Sequence, residues 1–235
     1  MGASSSSNES DRTTAESERL LSATLIIGLI AAAVALLVFS WLGRGIVTGV
    51  TPGVDESLRN AMHAHATPGL TRVMIAASLY GGPAWLVPIG LALALGFLVH
   101  GWHRGAFLVV VTLAGAGLLN MLLKLAFART RPVPFFDYPL PVSHSFPSGH
   151  AFFAASLLGG LAVLASDRVR STPLRIAIWL VAVGLILLIG LSRVYLGVHY
   201  PSDVFAGYAV AVVWVAAVAL GDRLASHRRR RRQAV

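Results

Sequence analysis

The chain has no cysteine, which excludes disulfides, thiolate nucleophiles and cysteine-ligated metals. Charge is also scarce. Asp, Glu, Lys and Arg make up 12% of the 235 residues, against roughly a quarter in a soluble domain. Acidic residues are the scarcer sign, 10 against 19 Lys and Arg. So few charges cannot clothe a soluble surface of this size. Alternating strand patterns and internal repeats are missing too.

Apolar residues are abundant. They form 56% of the chain, and the mean hydropathy is +0.72. A bilayer-spanning helix needs about 20 of them. Six spans with short loops therefore use most of the sequence and leave no sizeable soluble domain. The expected fold is all-α, an integral membrane bundle of six transmembrane helices. The net charge of +9 does not argue for nucleic acid, because much of it sits in one run, Arg228 to Arg232. Beside a span, such a run marks the cytoplasmic side and contacts anionic lipid head groups.

Residues 1–19 are polar and serine-rich, which predicts a disordered cytoplasmic tail. The apolar run Leu20 to Leu42 is too long for a signal-peptide core and reads as an uncleaved first span. A polar interlude follows, from Gly43 to Pro68. In it Val54, Leu58 and Met62 recur every four residues, as on a short surface helix. His63 and His65 form an H-x-H pair, but on a helix they point about 200° apart, so an exposed role is preferred to a metal site. The second span, Leu70 to Val99, is interrupted by Gly81-Gly82-Pro83, where a kink or break is expected. The third runs from Ala106 to Ala128. Prolines 132, 134, 139, 141 and 147 then keep the next segment from being helical throughout. The remaining spans are Gly149–Ala165, Leu174–Leu191 and Pro201–Leu220. The transmembrane domain thus covers 20–222, and a basic cytoplasmic tail covers 223–235.

With six spans both termini share a side. That side receives Arg12, Arg19, Arg104, Arg168, Arg170, Arg175, Arg223 and the five terminal arginines. The other receives Arg44, Arg59, Arg72, Lys124, Arg129, Arg131 and Arg193. The bias predicts cytoplasmic termini. The loops after the third and fifth spans then face outward, at the outer (periplasmic or extracellular) surface.

Those loops carry the chemistry-bearing residues. One stretch is Lys124-Leu-Ala-Phe-Ala-Arg-Thr-Arg131-Pro132. A second is Pro147-Ser148-Gly149-His150, and a third runs from Ser192-Arg193 through His199 to Asp203. Lys124 and Arg131 lie seven residues apart, so they share a face if the third helix continues that far; Pro132 suggests it ends near Arg131. Arg193 adds a third cation. Ser148 and Gly149 open a helix, whose free N–H groups and positive dipole end attract an anion. Such equipment suits phosphate, whose transfer is catalysed mainly by positioning and charge stabilisation. Of two histidines, one can attack phosphorus and the other protonate the departing oxygen. His199 has Asp203 four residues on to orient it, so His199 is assigned as nucleophile. His150 has no carboxylate nearby in sequence and is assigned as general acid. Each residue alone has a plainer reading: a snorkelling arginine, a structural histidine, a helix-capping aspartate. Their convergence beside spans favours function.

Taken together, these three motifs resemble the signatures of the type 2 phosphatidic acid phosphatase (PAP2) superfamily, with every fixed position occupied in order between Lys124 and Asp203. The resemblance implies a metal-independent lipid phosphate or diphosphate phosphatase with no cofactor, working through a phosphohistidine. It implies that His199 attacks, Asp203 orients it and His150 protonates the leaving group. It puts Lys124, Arg131, Ser148, Gly149 and Arg193 on phosphate-binding positions. Implied substrates are phosphatidic acid, phosphatidylglycerol phosphate and undecaprenyl diphosphate. A phosphotransferase using the same intermediate, or a non-catalytic binding or transport protein, is the alternative. Ser143, His144, Asp137 and Tyr138 receive no role, and the oligomeric state stays open.

Overall fold

The computed structural model describes the backbone over residues 4–233 and side chains over 25–226. The expectations for the two tails, 1–19 and 223–235, fall outside the described side chains, save for residues 223–226. Eight helices follow one another: α1 (Ser4–Val47), α2 (Pro52–Ala64), α3 (Pro68–Tyr80), α4 (Pro83–Val99), α5 (His103–Phe127), α6 (Gly149–Ser166), α7 (Thr172–Tyr195) and α8 (Pro201–Gln233). No strand occurs among the described residues.

Among the described residues, five helical stretches are long and apolar enough to cross a membrane: Leu25–Val47, His103–Phe127, Gly149–Ser166, Thr172–Tyr195 and Pro201–Ser226. The sixth crossing is α3 and α4 together, bent by 51° where Gly81-Gly82-Pro83 was expected to break the span. Pro83 opens α4 at a position where a helix needs no N–H. The protein is a multi-pass membrane bundle. Its outer faces are apolar and open, as lipid contact requires: Leu37 is 70% exposed, Trp41 71% and Leu180 68%.

Helix α6 runs through the middle, packed on α4, α5, α7 and α8. Its Phe152, Ala154 and Leu157 are buried with Leu113 and Ala116 of α5 and Ile189 of α7. Small residues let the backbones approach, as is usual where lipid supplies no hydrophobic drive between helices. A β-carbon on Gly207 of α8 would lie 2.7 Å from the Ser148 carbonyl oxygen at the start of α6. One on Gly190 of α7 would lie 1.8 Å from the Tyr208 hydroxyl of α8. These contacts bring the start of α6, the end of α7 and the start of α8 together.

Two details differ from the sequence reading. Helix α5 stops at Phe127 rather than near Arg131, because Ala128 takes a left-handed conformation, φ 43°, and turns the chain away. Helix α2 forms as expected, but its face is reversed. Val54 and Leu58 are exposed, while Asp55 and Arg59 are buried. The polar side docks because it finds partners on the loops beneath it; of the apolar stripe only Met62 packs inward, beside Val194 and Leu196.

Candidate active site

The three motif stretches meet at one end of the bundle, at the ends of α5, α6, α7 and α8. Helix α8 begins at Pro201, which brings Asp203 into its first turn, as the acidic residue favoured there. The preceding turn, Leu196 to Tyr200, needs Gly197 at φ 74°. A β-carbon there would also meet the Phe135 nitrogen at 2.7 Å. That turn directs His199 inward, where it is 1% exposed.

His199 Nδ1 lies 3.2 Å from Asp203 Oδ2. Its other nitrogen, Nε2, lies 2.9 Å from Arg131 Nη1. A guanidinium only donates, so Nε2 accepts and the ring proton belongs on Nδ1, facing the carboxylate. This is the tautomer an attacking Nε2 requires. Burial, the largest influence, outweighs the favourable carboxylate, and Arg131 and Arg193 oppose protonation further. Together they push the His199 imidazole down to about 3. The ring is therefore neutral near pH 7.

Three cations gather at this end of the bundle, Arg131 directly on this nitrogen. Arg131 is fixed by three main-chain carbonyls and one hydroxyl: Ser143 O at 2.6 Å, Val198 O at 2.8 Å, His144 O at 3.2 Å and Ser143 Oγ at 3.1 Å. Burial first, then Arg193, lowers its guanidinium to about 10, so it stays charged at neutral pH. Lys124, in the last turn of α5, donates to the His144 carbonyl. Arg193, 2% exposed in the last turn of α7, donates to Ser78 Oγ and lies over the Tyr138 ring, 5.7 Å from its centroid. Its Nε is buried without a partner. A buried donor left unpaired is a natural contact for an arriving anion.

Ser148 caps α6, its hydroxyl accepting from Ala151 N at 3.5 Å, and its own N–H donates to the Asp203 carbonyl at 2.9 Å. Gly149 sits against Asn120 of α5; a β-carbon there would be 3.3 Å from Asn120 Nδ2. The first-turn amides of α6 have no intrahelical acceptor and face the same end. His150, in that turn, lies at the α3–α4 break. Its Nε2 would be 2.9 Å from a β-carbon on Gly82, so that glycine makes room for the ring.

All eight motif residues singled out in the sequence thus gather at one site. The sequence reading missed several partners. Ser145 Oγ donates to Asp203 Oδ2 and lies 3.4 Å from His199 Nδ1. Arg129 Nη1 donates to Asp203 Oδ1 at 2.6 Å, and Nη2 to Asp55 at 2.8 Å. Ser78, Tyr138 and Asn120 also border the site. The one available signal was Asp55, one of two adjacent carboxylates, with Glu56, in a chain poor in acidic residues. His144 contributes its carbonyl while its side chain is exposed, and Asp137 is an exposed loop residue at φ 51°. His63 stacks on Phe135 at 4.0 Å, and His65 bonds the Ala61 carbonyl within its own helix.

Comparison with known proteins bears on this end of the bundle. Residues 105–224 match the family model described as the PAP2 superfamily. The chain is 29% identical over 181 residues to phosphatidylglycerophosphatase B of Bacillus subtilis, covering 75% of this chain and 87% of that one. It is 40% identical over 114 residues to lipid A 1-phosphatase of Rhizobium etli, a match spanning 45% of this chain and only 44% of that protein. The crystal structure of a transmembrane PAP2-type phosphatidylglycerolphosphate phosphatase from Bacillus subtilis superposes with a TM-score of 0.74 at 28% identity, covering 82% of this chain and 96% of that one.

Proposed function

Since the chain belongs to the PAP2 superfamily, among membrane lipid phosphatases, we propose that it hydrolyses a lipid phosphate at His199 through a phosphohistidine. Phosphatidylglycerol phosphate is the leading substrate, because similarity to a phosphatase of that lipid extends along most of both chains. The observation that carries the reading is the pairing at His199: Asp203 on Nδ1, and an unprotonated Nε2 facing the Arg131 guanidinium.

In this account Lys124, Arg131, Arg193 and the Ser148-Gly149 turn hold the phosphoryl oxygens. His199 Nε2 attacks phosphorus as the bond to the lipid oxygen breaks. His150 gives its proton to that oxygen, and the lipid alcohol leaves. His150 then takes a proton from water, whose oxygen attacks phosphorus. The P–N bond breaks, and phosphate departs with His199 neutral again. The three cations supply the charge stabilisation a metal would otherwise give, so EDTA has no effect. The arginine asymmetry supports a site on the outer side with cytoplasmic termini, and the terminal arginines then lie on anionic head groups.

The test is phosphate release by the purified protein in detergent with EDTA present. The panel is phosphatidylglycerol phosphate, phosphatidic acid, undecaprenyl diphosphate and a soluble phosphate ester. Release from a lipid, lost in His199→Ala and His150→Ala, is expected. A folded protein that releases nothing from any lipid contradicts the hydrolase reading.

A further inference from the structure

Asp203 is completely enclosed, and its two oxygens are served separately. Oδ2 takes His199 Nδ1, the Ser145 hydroxyl and the Tyr200 amide at 2.9 Å. Oδ1 takes Arg129 at 2.6 Å. Arg129 is itself gripped on every side. Its Nη1 also donates to Ser202 Oγ at 2.8 Å, its Nη2 donates to Asp55 Oδ2 at 2.8 Å, and its plane lies over the Tyr200 ring at 4.1 Å. Asp55 reaches down from α2 to the start of α8. There it accepts from the Ser202 amide at 3.0 Å and the Ser202 hydroxyl at 2.5 Å. Both ion pairs are buried, with no side chain more than 9% exposed.

We propose that Asp55 and Arg129 are positioning residues for the reaction. They form a carboxylate–guanidinium clamp, delivered by α2, that fixes Asp203 against His199. The proposal rests on His199 being the nucleophile oriented by Asp203. Burying such ion pairs costs desolvation that their attraction scarcely recovers, so net stability is a poor account of them. Their geometry is a better one. The Ser145 hydroxyl and the Tyr200 amide hold Oδ2 beside His199, and Oδ1 is the end of the carboxylate that they leave untied. With Oδ1 tied to Arg129, and Arg129 tied to Asp55, Oδ2 has one orientation, toward Nδ1. Arg59 fastens the same helix a turn later, donating to the Val133 carbonyl at 2.6 Å. The polar face of α2 is therefore a strap over the catalytic turn, which explains why it docks polar side down.

The experiment is a double-mutant cycle on the full-length protein in detergent, with phosphatidylglycerol phosphate as the probe. Asp55→Asn should lower kcat about ten- to hundredfold, as loss of an outer-shell partner does, with KM within about twofold. In an Asp203→Asn background, whose residual rate is read by radiolabelled phosphate release, Asp55→Asn should cost nothing further. Arg129→Lys should retain more of kcat than Arg129→Gln. Asn60→Ala, at an exposed position of the same helix, should leave kcat unchanged. The clamp is refuted if Asp55→Asn leaves kcat within about twofold, or lowers it by the same factor in both backgrounds, as general destabilisation does. If Asp55→Asn does not fold, the two Arg129 variants decide in the same two backgrounds. No turnover by the parent protein removes the hydrolase reading, and the clamp's role with it. Turnover by the parent with an indifferent Asp55 removes the clamp alone.

Discussion

His199 shows how little of a residue's function lies in its own chemistry. An ordinary imidazole is half protonated near pH 6.5 and has two equivalent tautomers in reach. Here burial holds it neutral and Asp203 selects the tautomer. The burial has a thermodynamic consequence. The folded-state value, about 3, lies below the unfolded value, so between the two the unfolded chain binds the extra proton. Stability is then independent of His199 above pH 6.5 and falls as pH drops below it. Unfolding in detergent, followed from pH 8 to pH 4, should show this loss, and His199→Gln should reduce its slope. An equal slope in the variant would assign the acid sensitivity to other groups. Asp203→Asn keeps the shape of its side chain but favours the wrong tautomer. We expect kcat to fall by about 10³ or more, by the precedent of the Ser-His-Asp arrangement, with a lower melting temperature because the buried Arg129 loses a charge partner.

At the scale of the helices, glycine sets the site's dimensions. Gly82→Ala should push the His150 ring from its place without disturbing a packed core, because the nearest atom is the end of a side chain. The expected outcome is reduced kcat with a nearly unchanged melting temperature. Gly207→Ala meets a main-chain oxygen at 2.7 Å and cannot be relieved by a rotamer. It should cost about 1–3 kcal/mol, read as a lower melting temperature in detergent. The sequence announced these elements well. Long apolar runs, the Gly81-Gly82-Pro83 interruption and Pro201 located the spans, because membrane crossing imposes length and hydropathy directly. Helix α2 was found from its spacing, but its orientation was not. A period of four residues says that two faces differ; which face docks depends on Arg129 and Ser202, far along the chain, waiting to receive Asp55.

For the whole molecule, the site is assembled from residues up to 148 positions apart, Asp55 to Asp203, joined through Arg129. The motif residues were legible in sequence because their chemistry is unusual beside apolar spans: two histidines, an aspartate and three cations with fixed spacing. Arg129 and Ser145 lie inside or beside those motifs, yet nothing in their spacing distinguished them from loop residues. Ser78, Tyr138 and Asn120 look like ordinary polar residues in helix or loop until the fold brings them beside the motif residues. At this scale the orientation of the bundle is also open to test. A reporter fused after Val235 should be active only in the cytoplasm, and one inserted near Val142, which is fully exposed, only outside. The opposite pattern would reverse the arginine argument.

The central claim, that phosphorus passes through His199, is tested most directly by trapping. The purified protein is mixed with phosphatidylglycerol [³²P]phosphate, quenched in alkaline detergent within its first turnovers, and mapped. Label stable to alkali, lost in acid and confined to His199 is the predicted result, with none in His199→Ala. Turnover with no label on His199, or continued turnover by His199→Ala, would contradict the account.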